Sequence, residues 1–152
     1  MLKRVAILFF LAAILSSASF TQDRTVIRDA KAAKMLLGKH KLSLQWISWD
    51  YFGIATVTTK AGIYYLKGEQ KGRGPEKTDF LRVDGVITEI DARHFTFDGT
   101  VVMQISHINS GQSCERKGIM DFRITGTRKY WRMQQMDNPC DEATDYVDIF
   151  FR

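Results

Sequence analysis

From Lys39 to the end of the chain, apolar and polar residues alternate with a period of two. Leu42, Leu44 and Trp46 alternate with Ser43 and Gln45, and residues 53–59 are rich in β-branched side chains. Residues 63–70, 80–91, 94–98 and 100–108 continue the pattern. Met120, Phe122 and Ile124 alternate in the next segment, then Trp131 and Met133, and YVDIFF (146–151) closes the series. Eight or nine short strands with short turns read as a sandwich or barrel. Before Lys39 the period changes. Val26, Ala30, Ala33 and Leu37 form one stripe of a 3.6-residue repeat, which predicts a helix over residues 25–37. Asp23 or Thr25 would cap that helix, and Gly38 would stop it.

FLRVDGVITEI (80–90) and HFTFDGTVVMQI (94–105) look alike, each with an Asp-Gly pair, Asp84-Gly85 and Asp98-Gly99. Asp-Gly supplies positive φ for tight hairpin turns, so neighbouring strands are expected to pair antiparallel. Such a meander closes most economically into a barrel, which removes exposed strand edges. LLGKHKLSLQWI (36–47) resembles the opening of lipocalin-like (calycin) barrels, where a helical turn leads into a Gly-x-Trp and the first strand. Gly38 takes the place of that glycine, and His40 stands where the family has tryptophan. The resemblance implies a mainly β fold, a single antiparallel meander of about eight or nine strands closing into a lipocalin-like barrel, with one short N-terminal helix.

The first residues belong to a different grammar. Lys3 and Arg4 precede an apolar run, VAILFFLAAIL, of 11 residues, and Ser16-Ser17-Ala18 follows. This is the order of a secretory signal cut after Ala18. A membrane span needs roughly 20 apolar residues, so no stable span is expected once the signal is removed. No cysteine follows the run, which disfavours a lipid anchor. The expected layout is a signal over 1–18, an N-terminal segment with the helix over 19–38, and the barrel over 39–152. Such a protein is periplasmic or secreted.

Cleavage removes two of 22 basic residues and none of 17 acidic ones, so the formal charge falls from +5 to +3. That is too mild and too dispersed to predict a nucleic-acid partner. Cys114 and Cys140 are the only cysteines, and in an oxidising compartment an even pair reads as a disulfide. They lie too far apart for a CxxC redox or metal motif.

Candidate chemistry is sparse. There is no G-x-S-x-G, and His40, His94 and His107 form no H-E-x-x-H. His40 and His107 are expected at barrel-facing positions, His40 being in phase with Leu42, Leu44 and Trp46, which makes them the histidines to test for metal or proton work. Asp137, Asp141, Glu142, Asp145 and Asp148 crowd the C-terminal region without the spacing or glycine of a calcium loop. They read as a solvated loop tied down by Cys140. KGEQKGRGPEKTD (67–79) fails the P-loop pattern and reads as a charged hairpin loop. Its other reading is a contact through Lys67, Lys71, Arg73 and Lys77 with an anionic glycan or lipopolysaccharide. No cofactor and no metal is expected.

Aromatics crowd the first three strands. Plain core packing explains most of them. The sharper expectation is that Trp46, Tyr64, Phe97, Met103, Phe122 and Met133 line a cavity, since a barrel of about eight strands can be filled or can hold one small ligand. The chain therefore reads as an exported, non-enzymatic, monomeric β-barrel binding a small apolar or amphipathic ligand. The alternative is a protein-interaction or inhibitor module of the cell envelope acting through its loops. An inhibitor of a basic enzyme such as a lysozyme would gain on-rate from acidic surface. The mature charge opposes that target and the acidic stretch 137–145 favours it.

Overall fold

The computed structural model describes residues 23–152. The expected export signal and its cleavage site lie outside the described residues. A two-residue strand, β1 (Val26–Ile27), precedes a short helix, α1 (Ala30–Leu36). Eight strands follow: β2 (Gly38–Leu44), β3 (Gly53–Lys60), β4 (Ile63–Lys71), β5 (Phe80–Ile90), β6 (His94–Gln104), β7 (Ser113–Arg123), β8 (Tyr130–Met133) and β9 (Val147–Phe150). Each pairs antiparallel with the next, and β9 returns to β2 through Leu42↔Ile149 and Leu44↔Val147. The result is a closed eight-stranded meander. β1 adds itself in parallel at the end of β5, Val26 opposite Glu89.

The helix is shorter than its sequence stripe suggests. Thr25 is buried; its hydroxyl donates to the Ile87 carbonyl at 2.6 Å and accepts from the Tyr64 amide at 2.9 Å. Those two bonds, with the β-branched Val26 and Ile27, hold residues 25–27 extended. The helix starts only where Asp29 caps it, its carboxylate accepting from the Ala32 amide at 2.7 Å. Ala32, Ala33 and Leu36 form its buried face, and Gly38, at φ +104°, turns the chain into β2.

The Asp-Gly pairs are not turns. Gly85 and Gly99 sit opposite one another in mid-strand, and Gly99 opposes Gly118 of β7. All three fall at inward-facing positions of the alternation. A Cβ on Gly85 would lie 2.8 Å from Phe97 Cε2, and one on Gly99 2.5 Å from Phe97 Cζ. Gly85 and Gly99 therefore make room for that phenylalanine ring inside the barrel. Residues 94–104 form one strand rather than two, and the β5–β6 hairpin turns at Asp91–His94 instead. The tight positive-φ turn lies at Ala61 (φ 52°) and Gly62 (φ 80°), between β3 and β4.

Inward positions are apolar and solvent-free: Leu42, Leu66, Leu81, Phe95, Phe97, Val101, Phe122, Met133 and Ile149 are all 0–1% exposed. Phe95 and Phe122 stack at 4.9 Å, and Phe97 meets Phe122 edge-on at 6.1 Å. One end of the barrel is closed by Leu36, His40, Trp131 and Phe151, the last two in contact at 4.5 Å between ring centroids. No helix of the described residues is long and apolar enough to cross a membrane.

Candidate functional site

The connections alternate in character around the barrel. At the helix end they are short. At the other end, residues 45–52, 72–79, 105–112 and 134–146 form four longer loops. Each is pegged by a buried polar group. The Gln70 side chain accepts from the Leu44 amide at 2.7 Å and donates to the Tyr51 carbonyl at 3.1 Å, holding the first loop. Asp79, 1% exposed, accepts from the Ser106 amide at 2.9 Å and so ties the second loop to the third.

The fourth loop is held by Asp145, which is fully buried. Its carboxylate accepts from Trp46 Nε1 at 2.9 Å, Asn138 Nδ2 at 3.0 Å and Arg116 Nη2 at 2.5 Å. Arg116 Nη2 also donates to the Asp137 carbonyl at 2.9 Å, while Nη1 is buried with no protein partner. Asn138 Oδ1 accepts from the Cys140 amide at 2.8 Å, and Cys140 is disulfide-bonded to Cys114 of β7. The disulfide, the ion pair and the amide network thus fix one loop at four points. Such a buried pair specifies geometry more than it adds stability.

Chemically this is a surface fixed from within. Asp145 faces three protein donors, and no nucleophile lies beside it. His107, expected to face the barrel, is exposed on its loop and meets only the edge of Trp46 at 5.8 Å. His40 does face inward, 3% exposed, but its two ring nitrogens lie 2.9 and 2.8 Å from the Phe150 and Leu36 carbonyls. It fastens the helix end to β9. Asp145 and Asp148, expected in a solvated loop, are buried partners of arginines, whereas Asp137, Asp141 and Glu142 are exposed.

The six residues proposed to line a cavity do not converge. Phe97, Phe122 and Met133 pack against one another and their neighbours in the barrel. Met103 lies toward the loop end, its sulfur 3.7 Å from Asn138 Nδ2. Trp46 is half-buried on that end, beyond the last strand residue of β2. Tyr64 sits at the opposite end, beside Thr25. Open clefts lie on the outside of the barrel. One, about 480 Å³, runs over β3 to β6 between Ile54, Lys67, Arg82, Asp84 and Val102. Another, about 390 Å³, lies beside β7, lined by Arg116, Ile119, Gln135 and Pro139.

Two clusters were not visible in the sequence. Glu89, Asp91 and His94 bring their ligand atoms within 4.8 Å of one another at the β5–β6 turn. Arg28 grips Glu89 with two bonds, at 2.6 and 3.0 Å, and so holds its carboxyl below the ordinary range. That carboxylate is already partnered, so the cluster makes a poor metal site. The second is a basic and aromatic strip on the outside of β2, β9 and β8. Its members are scattered from Lys39 to Arg152, and only the strand register makes them neighbours.

The described chain is thus a disulfide-closed, eight-stranded antiparallel barrel, with one short helix at one end and four locked loops at the other. It belongs to the PM1083 family, whose sequence profile matches residues 24–151. It is similar to the uncharacterised protein PM1083 of Pasteurella multocida (strain Pm70), 43% identical over 144 residues, which span 95% of this chain and 89% of that one. No solved structure matches it.

Proposed function

We propose that this barrel is a non-enzymatic binding module of the cell envelope that engages a protein partner through its loop-bearing end. The observation that carries the reading is the contrast between interior and loops. The interior is occupied by the protein's own side chains, down to glycines that make room for Phe97. A carried ligand of a few hundred ångström cubed would have to displace them. The loops, by contrast, are immobilised at points where ordinary surface loops are free, which lowers the entropic cost of binding.

That end also has the composition of an interface. Trp49 is 55% exposed at the tip of the first loop. Asp50, Glu76, Glu115, Asp137, Asp141 and Glu142 are exposed around it, against Lys71, Arg73 and Lys77. The excess of acid suits a basic partner surface. The disulfide supports an oxidising compartment. The lipocalin-like opening at residues 36–47 supports the other reading, a carrier of a small apolar ligand, and the packing weighs against it.

Native mass spectrometry of the oxidised, signal-free chain separates the two. The expected native mass equals the denatured mass. An added few hundred daltons would identify a carried ligand and overturn the proposal. A photo-crosslinking residue at position 49 should then capture a partner in the envelope, and one at position 60, on the opposite end, should not.

A further inference from the structure

The strip on the outside of β2, β9 and β8 is a second surface, on the barrel wall, which meets the loop end only at Phe52. The register aligns Arg123, Arg132, Asp148 and Ser43 in one row across β7, β8, β9 and β2. In the next row Tyr130 opposes Phe150. Phe52 joins it, so Phe52, Phe150 and Tyr130 form a continuous run with centroid spacings of 5.2 and 5.1 Å. Cations lie over these rings: Lys41 over Phe52 at 5.0 Å, Arg128 over Tyr130 at 5.7 Å, and Arg132 over Tyr130 at 5.2 Å. Arg152 adds its guanidinium beside Gly38, at the start of β2.

Charge on this strip is unbalanced. Asp148 is the one carboxylate in the two rows; it is 1% exposed and bound by Arg132 through two bonds of 2.7 Å. Lys39, Lys41, Arg123, Arg128, Lys129 and Arg152 have no carboxylate within 4 Å among the described residues. The opposite wall differs. There Lys67 pairs with Asp84 at 3.5 Å, and Lys71 and Arg82 flank Glu69 at 3.4 and 2.9 Å. In the segment 67–79, whose charge suggested an anionic contact in the sequence, Lys67 and Lys71 are thus paired with carboxylates, Arg73 lies over the Tyr51 ring, and only Lys77 is left without either among the described residues.

We propose that the β2–β9–β8 strip binds an acidic glycan chain. Unpaired cations gathered on one wall suit a polymer bearing repeated carboxylate, sulfate or phosphate groups. The half-buried Phe150 ring between them, over which no cation lies among the described residues, offers a flat apolar face on which a sugar ring stacks. Phe52 and Tyr130 lie under cations and all three rings are half-buried, so the strip lacks the apolar wedge that a bilayer contact uses. A convex barrel wall also meets a flat membrane along a narrow line, whereas a chain can follow it.

The test uses the oxidised signal-free chain with immobilised heparin oligosaccharide and with polygalacturonate. Vesicles containing phosphatidylglycerol and a short single-stranded DNA serve as competing probes. The expected result is salt-sensitive binding to both glycans, weakened roughly tenfold or more by Lys41→Gln with Arg128→Gln. Lys41→Arg with Arg128→Lys should retain it. Lys67→Gln with Lys71→Gln removes the same formal charge from the other wall and should change little. Absence of glycan binding would overturn the proposal, as would equal losses in the two neutralised pairs. Tighter binding to the vesicles or the DNA would overturn it too, and would assign the strip to that partner instead.

Discussion

At the scale of single residues, the buried charges decide most. Arg116 is 8% exposed and Asp145 is fully buried, so removing either partner strands the other in a low-dielectric site. Asp145→Ala is expected to cost about 3–5 kcal/mol in urea unfolding, while Arg116→Met with Asp145→Leu recovers only part of it, because Trp46 Nε1 and Asn138 Nδ2 still lose their acceptor. A single variant within 1 kcal/mol of the parent, roughly the value of an exposed pair, would show the network to be unimportant. The exposed pairs behave differently. Glu89 is pushed below its ordinary value of 4.5, first by the hydrogen bond from Arg28 and then by its charge. A depressed carboxyl stabilises the fold fully above 4.5, progressively less as the pH falls toward the depressed value, and not at all below it. The stability gap between the parent and Glu89→Gln should therefore be present at neutral pH and vanish in acid. Thermal melts across that range would check it, and a gap that widens in acid would reverse the assignment.

At the scale of elements, alternation in the sequence gave the strands and their inward faces, because a half-buried strand must repeat with period two. Leu42 and Leu44, Phe95 and Phe97, and Trp131 and Met133 all point as that rule requires. The turns were less legible. Asp-Gly signals a hairpin only when its strands end there, and at Gly85 and Gly99 the deciding fact was the Phe97 ring across the strand. Gly99→Ala puts a methyl 2.4 Å from the Asp84 carbonyl oxygen, a backbone atom that cannot swing aside. Destabilisation of about 1–3 kcal/mol is expected, with only partial rescue by Phe97→Leu. The N-terminal helix was misjudged for a related reason: residue spacing cannot show that Thr25 is bonded to β4 and β5 at once. The disulfide, by contrast, followed from cysteine count and compartment alone. It spans 26 residues, so in the chain-entropy account its loss costs roughly 3.5 kcal/mol. Reduction should show that loss in denaturant titration, together with faster proteolysis of the 134–146 loop.

At the scale of the whole molecule, function-bearing surfaces emerge only from closure. Lys41 and Arg128 are separated by most of the chain, and no local pattern joins them; the pairing of β9 with both β8 and β2 does. The same closure separates the basic strip from the acidic loop end, although the sequence shows only a modest net charge. It also protects the fold. Removing residues 147–152 deletes β9 and leaves β2 and β8 as open edges lined inside by Leu42, Leu44, Trp131 and Met133. Unpaired edges backed by apolar faces recruit other chains. This truncation is expected to form oligomers or precipitate. Removing residues 23–28 takes away β1, the Thr25 bonds to β4 and β5 and the Arg28–Glu89 pair, and should leave a closed, weakened monomer. Light scattering after size exclusion distinguishes the two. A soluble monomer without β9 would mean that the remaining seven strands close by themselves, and the strip built on β2, β9 and β8 would then be dispensable to the fold.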